Sequence, residues 1–122
     1  MKKVTGIGGI LFTCEDPKKQ KEWYAQHLGI APNGIFEWRE KENPDRIAKT
    51  AMGYFPKGTD YFSPSEKDFM INYRVDDLAA LLEQLKKEGV QIVGEMQVYP
   101  YGKFGWIIDP EGNKIELWEP VV

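Results

Sequence analysis

With 122 residues, 42% of them hydrophobic and 13% aromatic, the chain is long enough to close one core without a disulfide or metal staple. Its formal net charge of −3 supplies no cationic footprint for a phosphate backbone, so nucleic acid is not an expected partner. The single cysteine, Cys14, excludes an internal disulfide and fits a reducing, cytoplasmic setting. No apolar run approaches the roughly 20 residues that span a bilayer, so no membrane partner is expected either.

At the N-terminus, Lys2-Lys3 followed by the apolar stretch Val4 to Cys14 imitates a secretory signal. Glycines interrupt that stretch, and Glu15-Asp16-Pro17 stand where a small-residue cleavage site belongs, so the expectation is a buried first strand over Ile7 to Cys14. Gly6-Ile7-Gly8-Gly9 hints at a phosphate loop, but no strand precedes it, no helix opens after it and no Lys-Ser/Thr follows. It reads as strand with a close backbone approach.

A helix over Pro17 to Leu28 comes next, with Asp16 as N-cap, Pro17 at the first helical position and Gly29 as the stop. Trp23, Tyr24 and Leu28 are its expected inward face, and His27, the only histidine, is expected to be a helix-surface or helix-packing residue. Strands are expected at Ile35 to Glu40, Ile47 to Phe55, Asp60 to Ser63 and Phe69 to Val75, all short, rich in β-branched or aromatic residues and bounded by turn formers. The second helix is marked by Leu78, Leu81, Leu82 and Leu85 at helical spacing, Asp76 or Asp77 as cap, Lys86-Lys87 in the last turn and Gly89 beyond it. Strands then follow at Gln91 to Val98, Phe104 to Ile108 and Lys114 to Trp118, the last two joined through an Asp109-Pro110-Glu111-Gly112-Asn113 hairpin turn.

Strand, helix and three strands thus occur twice. Asp16 matches Asp77, Gly29 matches Gly89, and Asp60-Tyr61-Phe62-Ser63-Pro64 echoes Glu116-Leu117-Trp118-Glu119-Pro120, which predicts a duplication packed about a pseudo-twofold axis. The fold class expected is α+β: one domain over 1–122 made of two tandem βαβββ modules, 1–64 and 65–122, forming a curved mixed sheet with the helices outside.

Asp16, Trp23-Tyr24, Leu28-Gly29, Tyr73-Arg74-Val75-Asp76-Asp77 and, most specifically, Asp109-Pro110-Glu111-Gly112-Asn113 running into Ile115-Glu116-Leu117 together resemble the vicinal-oxygen-chelate superfamily of glyoxalase, bleomycin-resistance and dioxygenase proteins. The resemblance covers almost the whole chain. It implies a cup whose cleft, in the family, holds a divalent metal bound by His, Glu or Gln. The family's first ligand position in each module falls on Gly9 and Met70, neither of which binds a hard or borderline cation. Only Glu116 matches a family carboxylate, with Asp60 as its counterpart if the echo is gap-free. The expectation is therefore no metal and no cofactor, with a divalent ion at Glu116 as the weaker alternative.

If Glu116 points into the cup, alternation brings Lys114 and Trp118 to the same face and sends Ile115 and Leu117 to the helices. On the neighbouring strands Met70, Asn72, Arg74, Trp106 and Ile108 then face inward, with Gly9, Leu11 and Thr13 on the first strand. Trp38 and Tyr61-Phe62 are candidate aromatic walls whose parity nothing marks. Met70, Asn72, Arg74, Trp106, Ile108, Trp118 and Trp38 are the expected ligand-binding residues, and Arg74 is the expected partner of Glu116 or of a ligand carboxylate. Cys14 should be a buried thiol facing the helix.

Three functions compete. The first is binding of a small organic molecule in an aromatic cleft without chemistry, as in the bleomycin-resistance branch, with a homodimer expected by the same likeness. The second is a lyase, isomerase or epimerase reaction with Glu116 as catalytic base and a weakly held divalent metal or Arg74 stabilising an enediolate. The third, a regulatory role through a protein partner, is demanded by no residue. Fold alone does not choose among them.

Overall fold

A computed structural model of the chain describes residues 3–121. Residues 1, 2 and 122, the outermost positions of the two expected modules, lie outside the described residues. The element order is β1 (Val4–Cys14), α1 (Pro17–Leu28), β2 (Ile35–Glu40), β3 (Asn43–Pro56), β4 (Phe69–Val75), α2 (Leu78–Lys87), β5 (Gln91–Ile92), β6 (Gln97–Tyr99), β7 (Gly102–Ile108) and β8 (Lys114–Pro120). Among the described residues these eight strands make one mixed sheet, ordered β2-β3-β1-β4-β8-β7-β5 with β6 added beside β7.

The order carries the duplication. β1 and β4 run antiparallel at the centre, each has a parallel partner on its outer side (β3 and β8), and each of those ends in an antiparallel hairpin, β2–β3 or β7–β8. A twofold between β1 and β4 exchanges the two sets. The fold class is α+β with a curved open sheet, as the repeated sequence markers imply.

Both helices start and stop where their sequence markers stand. The Asp16 carboxylate accepts from the Lys19 amide at 3.1 Å, Asp77 accepts from Ala80 at 3.1 Å, and Gly29 and Gly89 take the left-handed φ values of 68° and 82° that end each helix. Their burial differs sharply. α2 sinks Leu78 and Leu81 against Val75 and Leu117, with Tyr73, Ile107 and Ile115 around them, and this is the larger apolar cluster. α1 has no buried residue: Tyr24 reaches Phe12 and Tyr54, but Trp23 and Leu28, expected inward, are 51% and 58% exposed. A 12-residue helix dominated by polar and charged side chains has too narrow an apolar stripe to bury all three.

Two expected strands are corrected. Asp60 to Ser63 is a turn, closed by Ser63 N–H donating to the Asp60 carbonyl at 3.0 Å. Tyr61 and Phe62 both pack into the cluster of Leu11, Met70 and Phe55, and neighbouring residues on a strand cannot point to one side. The gap-free echo between Asp60 and Glu116 therefore has no structural counterpart. The Gln91 to Val98 segment breaks into β5 and β6 at Gly94, whose φ of 68° interrupts extended backbone. The Asp109 to Asn113 turn forms as read: Asp109 accepts from the amides of Glu111 and Asn113, each at 2.9 Å, and Gly112 takes a φ of 83°.

Candidate functional site

Glu116 lies on β8 with its carboxylate inside the cup and 5% exposure. Its register partners flank it: Asn72 on β4 and Trp106 on β7. Asn72 Nδ2 donates to Oε1 at 2.7 Å, Trp106 Nε1 donates to Oε2 at 2.9 Å, and the Tyr61 phenol donates to that same Oε2. Three of the carboxylate's roughly four lone-pair sites are thus occupied by protein donors. Burial, reinforced by the Glu116 charge and hydrogen bond, pushes the Tyr61 phenol well above the usual tyrosine range. The phenol therefore stays a donor.

Lys114, two residues before Glu116, is also buried and donates from Nζ to the Tyr61 carbonyl at 2.8 Å. The ammonium sits 5.4 Å from the Tyr61 ring centre and 5.6 Å from that of Trp106. Burial pushes it below the ordinary lysine value, while the Glu116 and Asp60 charges pull it back up.

Arg74 is not the partner of Glu116. Its Nη1 lies 2.9 Å from Glu40 Oε1, with the two side chains 3% and 8% exposed, and its guanidinium is 5.3 Å from the Trp38 ring centre. The physical reason is register: Asn72 stands opposite Glu116, whereas Arg74 stands one step further on, opposite Trp118. There Glu40, at the end of β2, is the carboxylate within reach. Glycines on β1 make the room. A Cβ on Gly6 would run into Trp38, and one on Gly8 would run into Asn72, Arg74 and Trp118.

The residues present do not fit the family's divalent ion. Gly9 offers no side chain, Met70 is fully buried between Leu11 and Phe62, and Asp60 is an exposed turn residue. Among the described residues no three His, Cys, Asp or Glu side chains converge, and Glu116 is already taken by its three donors.

A cleft of about 760 Å³ opens beside this knot, between the β2–β3 hairpin and the ends of β4 and β8. Ile35, Glu37, Asp45, Arg46, Ile47 and Lys49 form one side, and Arg74, Tyr101, Trp118 and Pro120 the other. The aromatic side is continuous, since Phe104 stacks on Trp118 at 5.9 Å and meets Tyr101 at 5.7 Å. Of the residues expected to bind a ligand, Arg74 and Trp118 border this cleft. Asn72 and Trp106 belong to the Glu116 knot, Met70 is core, and Trp38 is packed on Gly6 with Nε1 donating to Thr50 Oγ1 at 2.8 Å. Ile108 stands half-buried at the far end of β7, opposite Lys114 and Gln91.

Sequence reading does not anticipate Tyr61 as a carboxylate donor, Glu40 as a buried anion, or the β2–β3 wall of the cleft. Only Glu40 leaves a trace: it shares strand parity with Trp38 in Phe36-Glu37-Trp38-Arg39-Glu40, so a carboxylate repeats at the position of an aromatic.

The family model described as Glyoxalase/Bleomycin resistance protein/Dioxygenase superfamily matches residues 6–117. No curated protein matches the chain. Among solved structures, methylmalonyl-CoA epimerase from Mycobacterium tuberculosis superposes with a TM-score of 0.66 at 23% identity, covering 100% of this chain and 92% of that one. A single-substitution variant of Streptomyces coelicolor methylmalonyl-CoA epimerase, in complex with 2-nitronate-propionyl-CoA, gives 0.71 at 14%, covering 98% and 99%. A Legionella pneumophila structure described as an NAD-dependent benzaldehyde dehydrogenase gives 0.58 at 14%, covering 93% and 98%. At these identities the likeness is one of fold.

The buried polar groups generate two expected outcomes. Glu40→Gln leaves the Arg74 charge buried without its counter-ion and should lower unfolding free energy by about 3–5 kcal/mol. The Glu40→Leu/Arg74→Met pair should recover much of that loss in urea denaturation, and strictly additive losses would contradict the pairing. Tyr61 holds its proton more tightly folded than unfolded, so its contribution is complete below about pH 10 and lost as pH rises beyond it. The stability difference between wild type and Tyr61→Phe should therefore shrink above that pH. A difference that stays constant or grows in alkaline melts would contradict the buried phenol.

Proposed function

This chain belongs to the glyoxalase/bleomycin resistance protein/dioxygenase superfamily, and we propose that within it the protein binds a small organic molecule in the cleft beside Trp118 without using a metal. One observation carries the reading: the Glu116 carboxylate, the family's surviving ligand position, is spent on Tyr61, Asn72 and Trp106. A general base needs a lone pair aimed at a substrate proton, and a metal ligand needs one aimed at the ion. Here three of the roughly four lone-pair sites already accept from protein donors, and the carboxylate is 5% exposed. Meanwhile the cleft has the composition of a binding site, an aromatic wall of Tyr101 and Trp118 facing Ile35 and Ile47 with a few charged groups between them.

An isomerase or epimerase reaction through Glu116 is the second reading. The likeness to two methylmalonyl-CoA epimerases favours it, and so does the contact of an acid and a base, Tyr61 and Glu116, inside the cup. The single cysteine supports a cytoplasmic setting for either reading. Among the described residues no helix is long and apolar enough to cross a membrane.

Calorimetric titration with 2-naphthol tests the binding reading. Saturable binding is expected, unchanged by EDTA and weakened about tenfold or more by Trp118→Ala, since one aromatic wall is lost. Absence of binding, or binding abolished by EDTA, would overturn it. The homodimer rests on the exposed strip beside the cleft, where Val98, Tyr101 and Val121 are 66%, 61% and 65% exposed. Sedimentation at micromolar concentration should give a dimer, and a monomer there rejects it.

A further inference from the structure

The β2–β3 wall of the cleft carries one charged pair framed by apolar residues. Glu37 on β2 stands opposite Lys49 on β3, with Ile35 and Ile47 next along the same face, and all four line the cleft across from Tyr101, Trp118 and Pro120. The Met52 amide donates to the Gly34 carbonyl at 2.8 Å in the same register, so alternation makes Glu37 and Lys49 a pair without backbone hydrogen bonds between them. That is the closer kind of cross-strand pair, with Cα atoms about 4.5 Å apart. Opposite charges so placed attract, yet their heads stand apart. Among the described residues neither Glu37 nor Lys49 has a hydrogen bond or ion pair, whereas the other cations of the cleft are taken, Arg74 by Glu40 at 2.9 Å and Arg46 by Asp76 at 4.0 Å. Asp45, the remaining charged residue of the lining, lies further along β3 toward the hairpin turn. Ile47 and Tyr101 are 51% and 61% exposed, so both walls keep apolar surface that an occupant would cover.

We propose that Glu37 and Lys49 form the polar subsite of the cleft and that its ligand is a zwitterion, with an ammonium and a carboxylate on one carbon of an aromatic body. The inference rests on the binding reading above and adds the class of ligand. Lys49 Nζ donates to the ligand carboxylate, the ligand ammonium donates to the Glu37 carboxylate, and the ring lies between the two isoleucines and the Tyr101 and Trp118 wall. Four charges then alternate in sign around a closed set of contacts. A ligand with a single charge gains at one residue and is repelled by the other beside it, so the two effects largely cancel. A neutral ligand lays apolar surface against both heads and strips water from them without replacing it. Because Glu37 and Lys49 are exposed residues, each contact has the strength of an exposed ion pair, and the selectivity is several-fold rather than orders of magnitude.

Calorimetric titration on one ring system tests this: tryptophan carries both charges, indole-3-propionate the carboxylate alone, tryptamine the ammonium alone and 3-ethylindole neither. Near neutral pH tryptophan should bind about fivefold or more tighter than each of the others, and high salt should narrow that gap. Glu37→Gln should remove the advantage of tryptophan over indole-3-propionate and tighten the propionate relative to wild type. Lys49→Met should do the same for tryptamine, and 3-ethylindole should bind both variants no more weakly than wild type. If the four compounds bind alike, or any compound other than tryptophan binds tightest, the subsite is overturned while the binding reading stands. If none of the four binds but 2-naphthol does, the subsite again falls alone. If 2-naphthol fails with them, the failure belongs to the binding reading and the subsite falls with it.

Discussion

One buried carboxylate organises the inside of the cup. Glu116 on β8 takes a hydrogen bond from β4 through Asn72, another from β7 through Trp106, and a third through Tyr61 from the segment that joins β3 to β4. A carboxylate withdrawn from water would cost several kcal/mol if left alone, and replacing water with three donors offsets that cost only when all three are in place. The register of β4, β8 and β7 is therefore coupled to the docking of a turn from the other half of the chain. A one-residue slip of β8 would put Ile115 or Leu117 among the donors and send Glu116 into the α2 cluster. The polar knot and the apolar cluster on the opposite face thus specify the same register.

The same knot explains why the first half is built as it is. The pair Tyr61-Phe62 must enter the cup side by side, which extended backbone cannot do, so the chain turns between Pro56 and Phe69 instead of continuing as a strand. Because Asn72, Arg74 and Trp118 lie against β1 at Gly8 and Trp38 lies against it at Gly6, that strand carries glycines where bulkier residues would block them. Strand glycines are ordinarily destabilising by about 0.5–1 kcal/mol. Here the cost goes into close backbone approach.

Sequence reading recovers what depends on period and on chain punctuation. The leucine stripe, the Asp caps, the glycine stops and the Asp109 to Asn113 turn all mark local structure, and strand parity from Glu116 correctly sends Lys114 inward and Ile115 and Leu117 toward α2. It fails where the outcome depends on which distant group arrives. Arg74 chooses Glu40, 34 residues away, over a carboxylate on its own neighbouring strand, and no periodicity encodes that choice. Tyr61 is similarly opaque, because its short-range pattern fits a strand and only the shared destination of the two adjacent aromatic side chains rules one out. The cleft wall on β2 and β3 is equally hidden. It depends on how far that hairpin stands from β4 and β8, a tertiary distance with no local signature.

The pairing of charges inside the cup has a logic beyond the individual contacts. Four ionisable side chains, Glu40, Arg74, Lys114 and Glu116, are buried there together. Had Arg74 paired with Glu116, Glu40 would be left as an isolated buried anion, while Asn72 and Trp106 would lose the acceptor that satisfies them. Pairing Arg74 with Glu40 instead places one ion pair at the cleft end, and Glu116 is then served by neutral donors, with the Lys114 charge nearby on the Tyr61 carbonyl and two aromatic faces. Each buried charge thereby has either a counter-ion or a hydrogen-bond shell at short range. The consequence for function is a division of the interior. The Glu116 end is closed over by its three donors, whereas the Arg74 end borders the cleft.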